Sequence, residues 1–250
     1  TLAGATAAVV SPADAQSQPA LKWRMVTSYP KSLDALDGGC RLLAKIVSDL
    51  TDGKFDIQVF AAGEVVPALQ VLDAVQSGTV EMGHSASYYY IGKNPALAFD
   101  TCLPFGLNAR QHNAWMTHGG GAALMQEVFA PYGIRVFPAG NTSAQMAGWF
   151  RKEIKTVEDF QGLKFRTGGL AGQVLAKLGV VPQQLGAADV YPALERGTID
   201  AAEWVGPYDD ERLGLQKVAK YYYAPGWAEG SAQVSLYVGQ KHWDDLPANY

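Results

Sequence analysis

A two-lobed α/β clamp is the fold class that the sequence predicts, and three observations predict it. The stretches Leu72 to Met82 and Ala193 to Trp204 share one template: a short amphipathic helix, Gly, Thr, a β-branched residue, an acid and a short apolar strand. Gly78 and Gly197 fit the position after a helix, where left-handed backbone penalises a Cβ. One copy in each half of a 250-residue chain points to two similar lobes, since the copies lie too far apart for a solenoid. Strands also alternate with helices, which is the order of mostly parallel sheets covered by helices. The second copy then runs into Glu203-Trp204-Val205-Gly206-Pro207-Tyr208-Asp209, placing an acid and two aromatics at the C-terminal end of a strand. In open α/β sheets that end binds ligands.

The elements follow in order. Leu21 to Thr27 is a strand closed by Ser28-Tyr29-Pro30, and a helix starts near Leu33. Its apolar face is Leu36, Cys40, Leu43, Val47 and Leu50, spaced by four and three. Lys54 to Phe60 alternates, with Phe55, Ile57 and Val59 inward, as a half-buried strand does. Pro67 opens the short helix that ends at Gly78, and Val80 to His84 is the next strand. Arg110 to Phe129 reads as a helix. Gly133 to Ala139 and Gln145 to Phe150 are strands joined by the polar turn Gly140-Asn141-Thr142-Ser143. A second α/β pattern starts at Leu163 to Arg166 and continues through a helix from about Ala171 to Leu178, a strand at Val180 to Gln183 and the repeated unit. Tyr221 to Ala224 and Ala232 to Val238 are the last strands.

Four segments result. Residues 1–20 are expected to be a signal-peptide remnant and a loose mature start, because Leu2 to Val10 is apolar and Ala13-Asp14-Ala15 has the form of a signal-peptidase site. Residues 21–140 form the first lobe and 141–206 the second with its hinge crossing. Residues 207–250 carry a lobe-spanning segment and the return crossing, which is expected near Pro207 or in a C-terminal tail that this stretch does not contain. Trp243 to Tyr250 reads as the start of a further helix that this stretch does not contain.

Composition excludes some functions. The net charge is −4 with no run of like charge, which argues against nucleic acid, whose binding needs a basic stripe. No stretch after the leader is apolar for long enough to span a bilayer. Export makes a Cys40–Cys102 disulfide possible, but Cys40 falls on a buried helix face, and two separate buried thiols fit equally well.

Arg166 ends a strand ahead of Thr167-Gly168-Gly169-Leu170-Ala171-Gly172. A guanidinium fork beside a Gly-rich helix start suits a carboxylate, although a surface Arg beside a tight turn fits the same spacing. The glycines spell neither a dinucleotide nor a Walker motif. Glu203 is either solvated, paired with a base or a cation ligand. An ion pair is the commoner outcome, and Gln145 could supply an amide oxygen if a hard cation binds. Of Tyr88, Tyr89 and Tyr90, one or two should line the cleft while the others pack. Trp227 could close one side, as aromatic walls do in small-ligand pockets. Enzyme signals are poor. His118-Gly119-Gly120-Gly121 resembles an oxyanion loop, yet no Gly-x-Ser-x-Gly follows, so these glycines interrupt a helix or make a loop. His84, His112, His118 and His242 lack metal-ligand spacing.

The chain resembles the solute-binding proteins of TRAP transporters, the DctP-type family, and most of all the subgroup that takes 2-oxo acids and small hydroxy acids. The likeness runs from Leu21 to Tyr250. It is carried by Ala61-Ala62-Gly63-Glu64, Ser85-Ala86-Ser87-Tyr88-Tyr89-Tyr90, Pro104-Phe105-Gly106-Leu107, Leu163-Lys164-Phe165-Arg166 and Ala202-Glu203-Trp204-Val205-Gly206-Pro207-Tyr208-Asp209. The resemblance implies a periplasmic-binding-protein-like clamp whose lobes, joined by hinge strands, close on an organic acid and hand it to a sodium-driven membrane permease. It puts the substrate carboxylate on Arg166 and a bound Na⁺ or Ca²⁺ on Gln145, Glu203 and the carbonyl of Trp204. Asn141, Tyr90, Tyr208, Trp227 and Glu229 are its further ligand contacts. Family members continue into C-terminal helices that brace the lobes and can mediate a homodimer. An enzyme acting on a small carboxylic acid, with Glu203 as base and Arg166 as anchor, is the competing reading, and a ligand-sensing module is a third.

Overall fold

The computed structural model describes residues 19–101, 103–248 and 250. The leader expected before residue 19 and any partner of Cys102 lie outside the described residues. Cys40 is a buried free thiol.

The strands in chain order are β1 (Leu21–Thr27), β2 (Phe55–Phe60), β3 (Met82–Ser85), β4 (Ile134–Asn141), β5 (Gly148–Phe150), β6 (Lys164–Arg166), β7 (Val181–Gln183), β8 (Ala201–Ala202), β9 (Tyr221–Tyr223) and β10 (Gln233–Gly239). The helices are α1 (Leu36–Leu50), α2 (Val71–Gln76), α3 (Ala109–His118), α4 (Gly121–Phe129), α5 (Gly169–Ala176), α6 (Ala187–Arg196), α7 (Pro207–Arg212) and α8 (Gln240–Asp244). They build two five-stranded sheets, ordered β2-β1-β3-β10-β4 and β7-β6-β8-β5-β9. Each sheet has a parallel βαβ half, β2-β1-β3 in the first and β7-β6-β8 in the second. Two lobes with flanking helices are therefore present.

The repeated template has a physical basis. Gly78 and Gly197 adopt left-handed φ of 72° and 73°. After Gly78, Thr79 N and Val80 N both donate to Ala74 O, at 2.9 and 3.3 Å. After Gly197, Thr198 N and Ile199 N both donate to Ala193 O, at 3.0 and 3.3 Å. Each turn thus closes the last free helix carbonyls and drops a β-branched residue, Val80 or Ile199, into a core.

Three features differ from the sequence reading. The expected helix over 110–129 is two helices, because Gly120 takes a φ of 83° and the Trp115 ring lies over the break. A Cβ on Gly121 would stand 2.6 Å from that ring, so these glycines interrupt the helix. Second, β10 inserts between β3 and β4 and runs antiparallel to both. All seven of its residues are buried, so hydropathy marks it as central but not as reversed. Third, the chain crosses from the first sheet after β4 and returns only between β9 and β10. The return expected near Pro207 falls later, because Pro207 opens α7 instead. Trp149 Nε1 and Val205 N both donate to the Asp210 carboxylate, at 2.9 and 3.1 Å, which ties α7 to the second sheet.

Candidate functional site

The site grows from the C-terminal ends of β6 and β8, as the open-sheet rule predicts. Arg166 closes β6 and is only 1% exposed. Its Nε donates to Leu185 O at 3.2 Å, and Nη1 donates to the main-chain carbonyl of Glu203. The Glu203 carboxylate is farther, with Oε2 at 3.4 Å from Nη1. The guanidinium also stacks 4.5 Å from the centre of the Trp204 ring. Burial penalises the Arg166 charge, yet Tyr88, Tyr89, Glu203 and Glu229 outweigh that and push its pKa up. Nη2 is left with no acceptor among the described residues. A guanidinium held in this way has the fork geometry that a carboxylate can accept from.

Beside it lies a set of oxygens without partners. Gln145 Nε2 donates to Thr142 Oγ1 at 2.9 Å, and that hydroxyl uses its own proton on Ser143 O at 3.1 Å. The hydroxyl must therefore accept from the amide, which fixes the amide's orientation. Gln145 Oε1 is then buried without a donor, and so is Glu203 Oε1. The backbone carbonyl of Trp204 likewise accepts no hydrogen bond from the described residues, while Glu203 O and Val205 O on either side each accept one. Buried acceptors left unpaired are costly and rare. Burial and the Glu229 carboxylate push the Glu203 pKa up, against the pull of Arg166. An amide, a carboxylate and a carbonyl oxygen make a donor set for a hard cation. Among the described residues, no three His, Cys, Asp or Glu cluster as metal ligands.

Arg166, Gln145 and Trp204 border a cavity of about 20 Å³ between the lobes, walled on the other side by Tyr29, Tyr88 and Tyr89. That is room for about one water, so an organic acid can enter only if the lobes part. The lobes touch closely here. Gln184 Nε2 donates to Tyr89 O at 2.8 Å, and a Cβ on Gly168 would stand 2.3 Å from the Tyr88 ring. Glu203 also borders a second hollow of about 390 Å³, walled by Phe150, Phe165, Leu175 and Trp227. A hollow of about 700 Å³ between α1 and the first sheet is lined by no charged side chain, since burial holds the His84 pKa down to about 4, and it lies away from this chemistry.

Of the residues expected at the site, Arg166, Gln145 and Trp204 line the small cavity, while Glu203 contacts Arg166 and lines the second hollow. Glu229 is buried, and its carbonyl accepts from Gln145 N at 2.9 Å. Trp227 lines the second hollow and stacks on Phe105. Asn141 braces the crossing, donating to Ser231 Oγ at 3.0 Å and accepting from Ser143 N at 2.7 Å. Two residues sit elsewhere. The Tyr90 hydroxyl lies between Leu72 N and Ser85 Oγ, at 3.1 and 3.2 Å, inside the first lobe. A 3₁₀ turn over Ser87–Tyr90 returns every third residue to one side, so Ser87 and Tyr90 face inward while Tyr88 and Tyr89 wall the cavity. Tyr208 is 54% exposed, with its hydroxyl on Asp34. The sequence reading missed Thr142, whose only signal was the polar turn around it.

Residues 27–250 match the model of the DctP family, the bacterial extracellular solute-binding proteins of family 7. The chain belongs to that family. Over 232 residues it is 57% identical to the monocarboxylate 2-oxoacid-binding periplasmic protein all3028 of Nostoc sp., a match that covers 93% of this chain and 64% of that protein. The chain thus spans somewhat less than two thirds of the length of this DctP relative. Among solved structures it superposes with a TM-score of 0.91 on a TRAP transporter solute-binding protein of Bordetella bronchiseptica, at 58% identity, covering 93% of this chain and 69% of that one. That protein is a dimer of mixed occupancy with copurified calcium and picolinate. A TRAP periplasmic solute-binding protein of Pseudoalteromonas atlantica with bound sodium and pyruvate gives a TM-score of 0.89 at 46% identity, covering 92% and 70%.

Proposed function

We propose that this chain is the extracytoplasmic receptor of a TRAP-type transporter, capturing a small 2-oxo acid such as pyruvate, or a hydroxy acid, together with Na⁺ or Ca²⁺ in the periplasm. The carrying observation is the juxtaposition of a buried, half-satisfied Arg166 with the unpartnered oxygens of Gln145, Glu203 and Trp204. Arg166 takes the acid's carboxylate, and Trp204 keeps the guanidinium in plane. Gln145, Glu203 and the Trp204 carbonyl hold the cation, which supplies positive charge for the acid's remaining oxygens. Closure of Tyr88 and Tyr89 over the site excludes water, which strengthens every charged contact inside. Delivery to permease subunits, and a homodimer like that of the Bordetella relative, belong to the same proposal.

Calorimetry of pyruvate and related acids, with and without each cation, tests the reading. Saturable binding of an acid, dependent on cation, is expected, and no binding across the series would end it. NMR of the same mixtures separates a receptor from an enzyme using Glu203 as base: a receptor leaves the acid unchanged.

Closure itself is testable at Gly168. Its φ of −117° suits any residue, so Gly168→Ala should leave each lobe folded and the melting temperature near wild type. The new methyl meets Tyr88 only when the lobes shut. Overpacking of this kind costs about 1–3 kcal/mol, so pyruvate affinity should fall about tenfold. Wild-type affinity in Gly168→Ala would mean that Tyr88 does not close on this turn.

A further inference from the structure

We propose that Asp34, Tyr208 and Arg212 form a clasp outside the ligand cavity, and that these positioning residues hold the lobes shut and set how long a captured acid stays. Asp34 lies in the first lobe, in the turn that leads into α1. Tyr208 and Arg212 lie four residues apart on α7, and so on one helix face, in the second lobe. The Tyr208 hydroxyl is 3.1 Å from each Asp34 carboxylate oxygen. Arg212 Nη2 is 2.9 Å from Asp34 Oδ2 and 2.7 Å from the Tyr208 hydroxyl. The guanidinium also lies 4.6 Å from the centre of the Tyr208 ring. Every proton has a place: Tyr208 donates to Asp34, and Arg212 donates to both.

Three further observations make this a clasp rather than a surface ion pair. Among the described residues it is the only ion pair that joins the two lobes; Arg24–Glu81, Lys31–Glu64 and Lys93–Asp73 stay within the first, Lys155–Glu153 and Arg166–Glu203 within the second. The segment that carries Asp34 has an apolar foot across the same boundary. Its Tyr29, Leu33 and Leu36 share one buried cluster with Ala187, Val190 and Leu194 of α6. Finally, α7 is anchored to the second sheet through Asp210, so a pull on Tyr208 is a pull on the lobe. A half-exposed pair adds little to folding. Open and closed states of a clamp also differ by little, and a contact made only when closed shifts that balance.

The inference rests on the clamp reading above, so the test has two readouts, one of which needs no ligand. Asp34→Asn, Tyr208→Phe and the double variant are compared with wild type and with Asp49→Asn, which removes an ion pair within α1. Stopped-flow tryptophan fluorescence should show pyruvate dissociating about fivefold faster from each clasp variant, with association unchanged. The double variant should be no worse than the more affected single, because both remove one clasp. Small-angle scattering of the ligand-free variants should shift towards a longer, open shape at an unchanged melting temperature. Wild-type dissociation rates together with wild-type scattering would overturn the clasp. If wild type binds no acid, scattering alone decides: a shift supports the clasp while the proposed ligand falls, and an unchanged profile rejects it.

Discussion

Arg166→Lys is expected to weaken pyruvate binding about tenfold or more although the charge is kept. A charge-assisted hydrogen bond contributes about 1.5–3 kcal/mol, and about 1.4 kcal/mol is tenfold in affinity. The guanidinium serves three partners at once, since Nε reaches Leu185 O, Nη1 reaches Glu203 O, and the ring of Trp204 lies beneath. A lysine ammonium is a point charge on a flexible stem and cannot hold that plane. Arg166→Ala should cost more, about a hundredfold in affinity. It also removes the charge that offsets the repulsion between the Glu203 and Glu229 carboxylates, and removing one partner of a buried pair costs about 3–5 kcal/mol. A lower melting temperature should therefore accompany the alanine variant but barely touch the lysine one. Calorimetry and thermal melts on both give the answer. Wild-type affinity in both would remove Arg166 from the site.

Why the strand-end position of Arg166 was legible in the sequence, and the exposed position of Tyr208 was not, is a matter of which forces act locally. Arg166 lies at a strand end before a Gly-rich helix start, and strand direction fixes where it points. The same local logic recovered the two helix-Gly-Thr turns, whose paired hydrogen bonds to Ala74 O and Ala193 O depend on a few neighbouring residues. The last strand of the first sheet was different. Gln233–Gly239 is recognisable as buried, but its antiparallel insertion between β3 and β4 depends on residues about 150 and 100 positions away. Tyr208 illustrates the same limit. Its sequence neighbours place it just after β8, yet Asp34, from the opposite lobe, holds its hydroxyl. Gln145 was visible as a candidate oxygen donor, whereas the hydroxyl that aims it, Thr142, has no pattern beyond a polar turn.

Glu203→Gln should keep the fold and abolish the dependence of acid binding on the cation. The carboxylate is 3% exposed, Oε1 has no hydrogen-bond donor, and burial pushes its pKa up. A buried charge so poorly served by the protein does little for folding, so the glutamine variant should melt at or above the wild-type temperature when no cation is present. With Na⁺ or Ca²⁺ the wild type should bind pyruvate about five- to 150-fold more tightly than without, the usual range of coupling between two ligands. Reciprocity requires pyruvate to raise cation affinity by the same factor, which a calcium titration at fixed pyruvate measures independently. In Glu203→Gln both factors should approach one. Two outcomes oppose this. If wild-type acid affinity is equal in sodium-free, chelated buffer and in calcium, no cation serves the site. If Glu203→Gln instead lowers the melting temperature by several degrees without changing the cation dependence, Glu203 is a structural partner of Arg166, and the unpaired oxygens of Gln145 and Trp204 need another explanation.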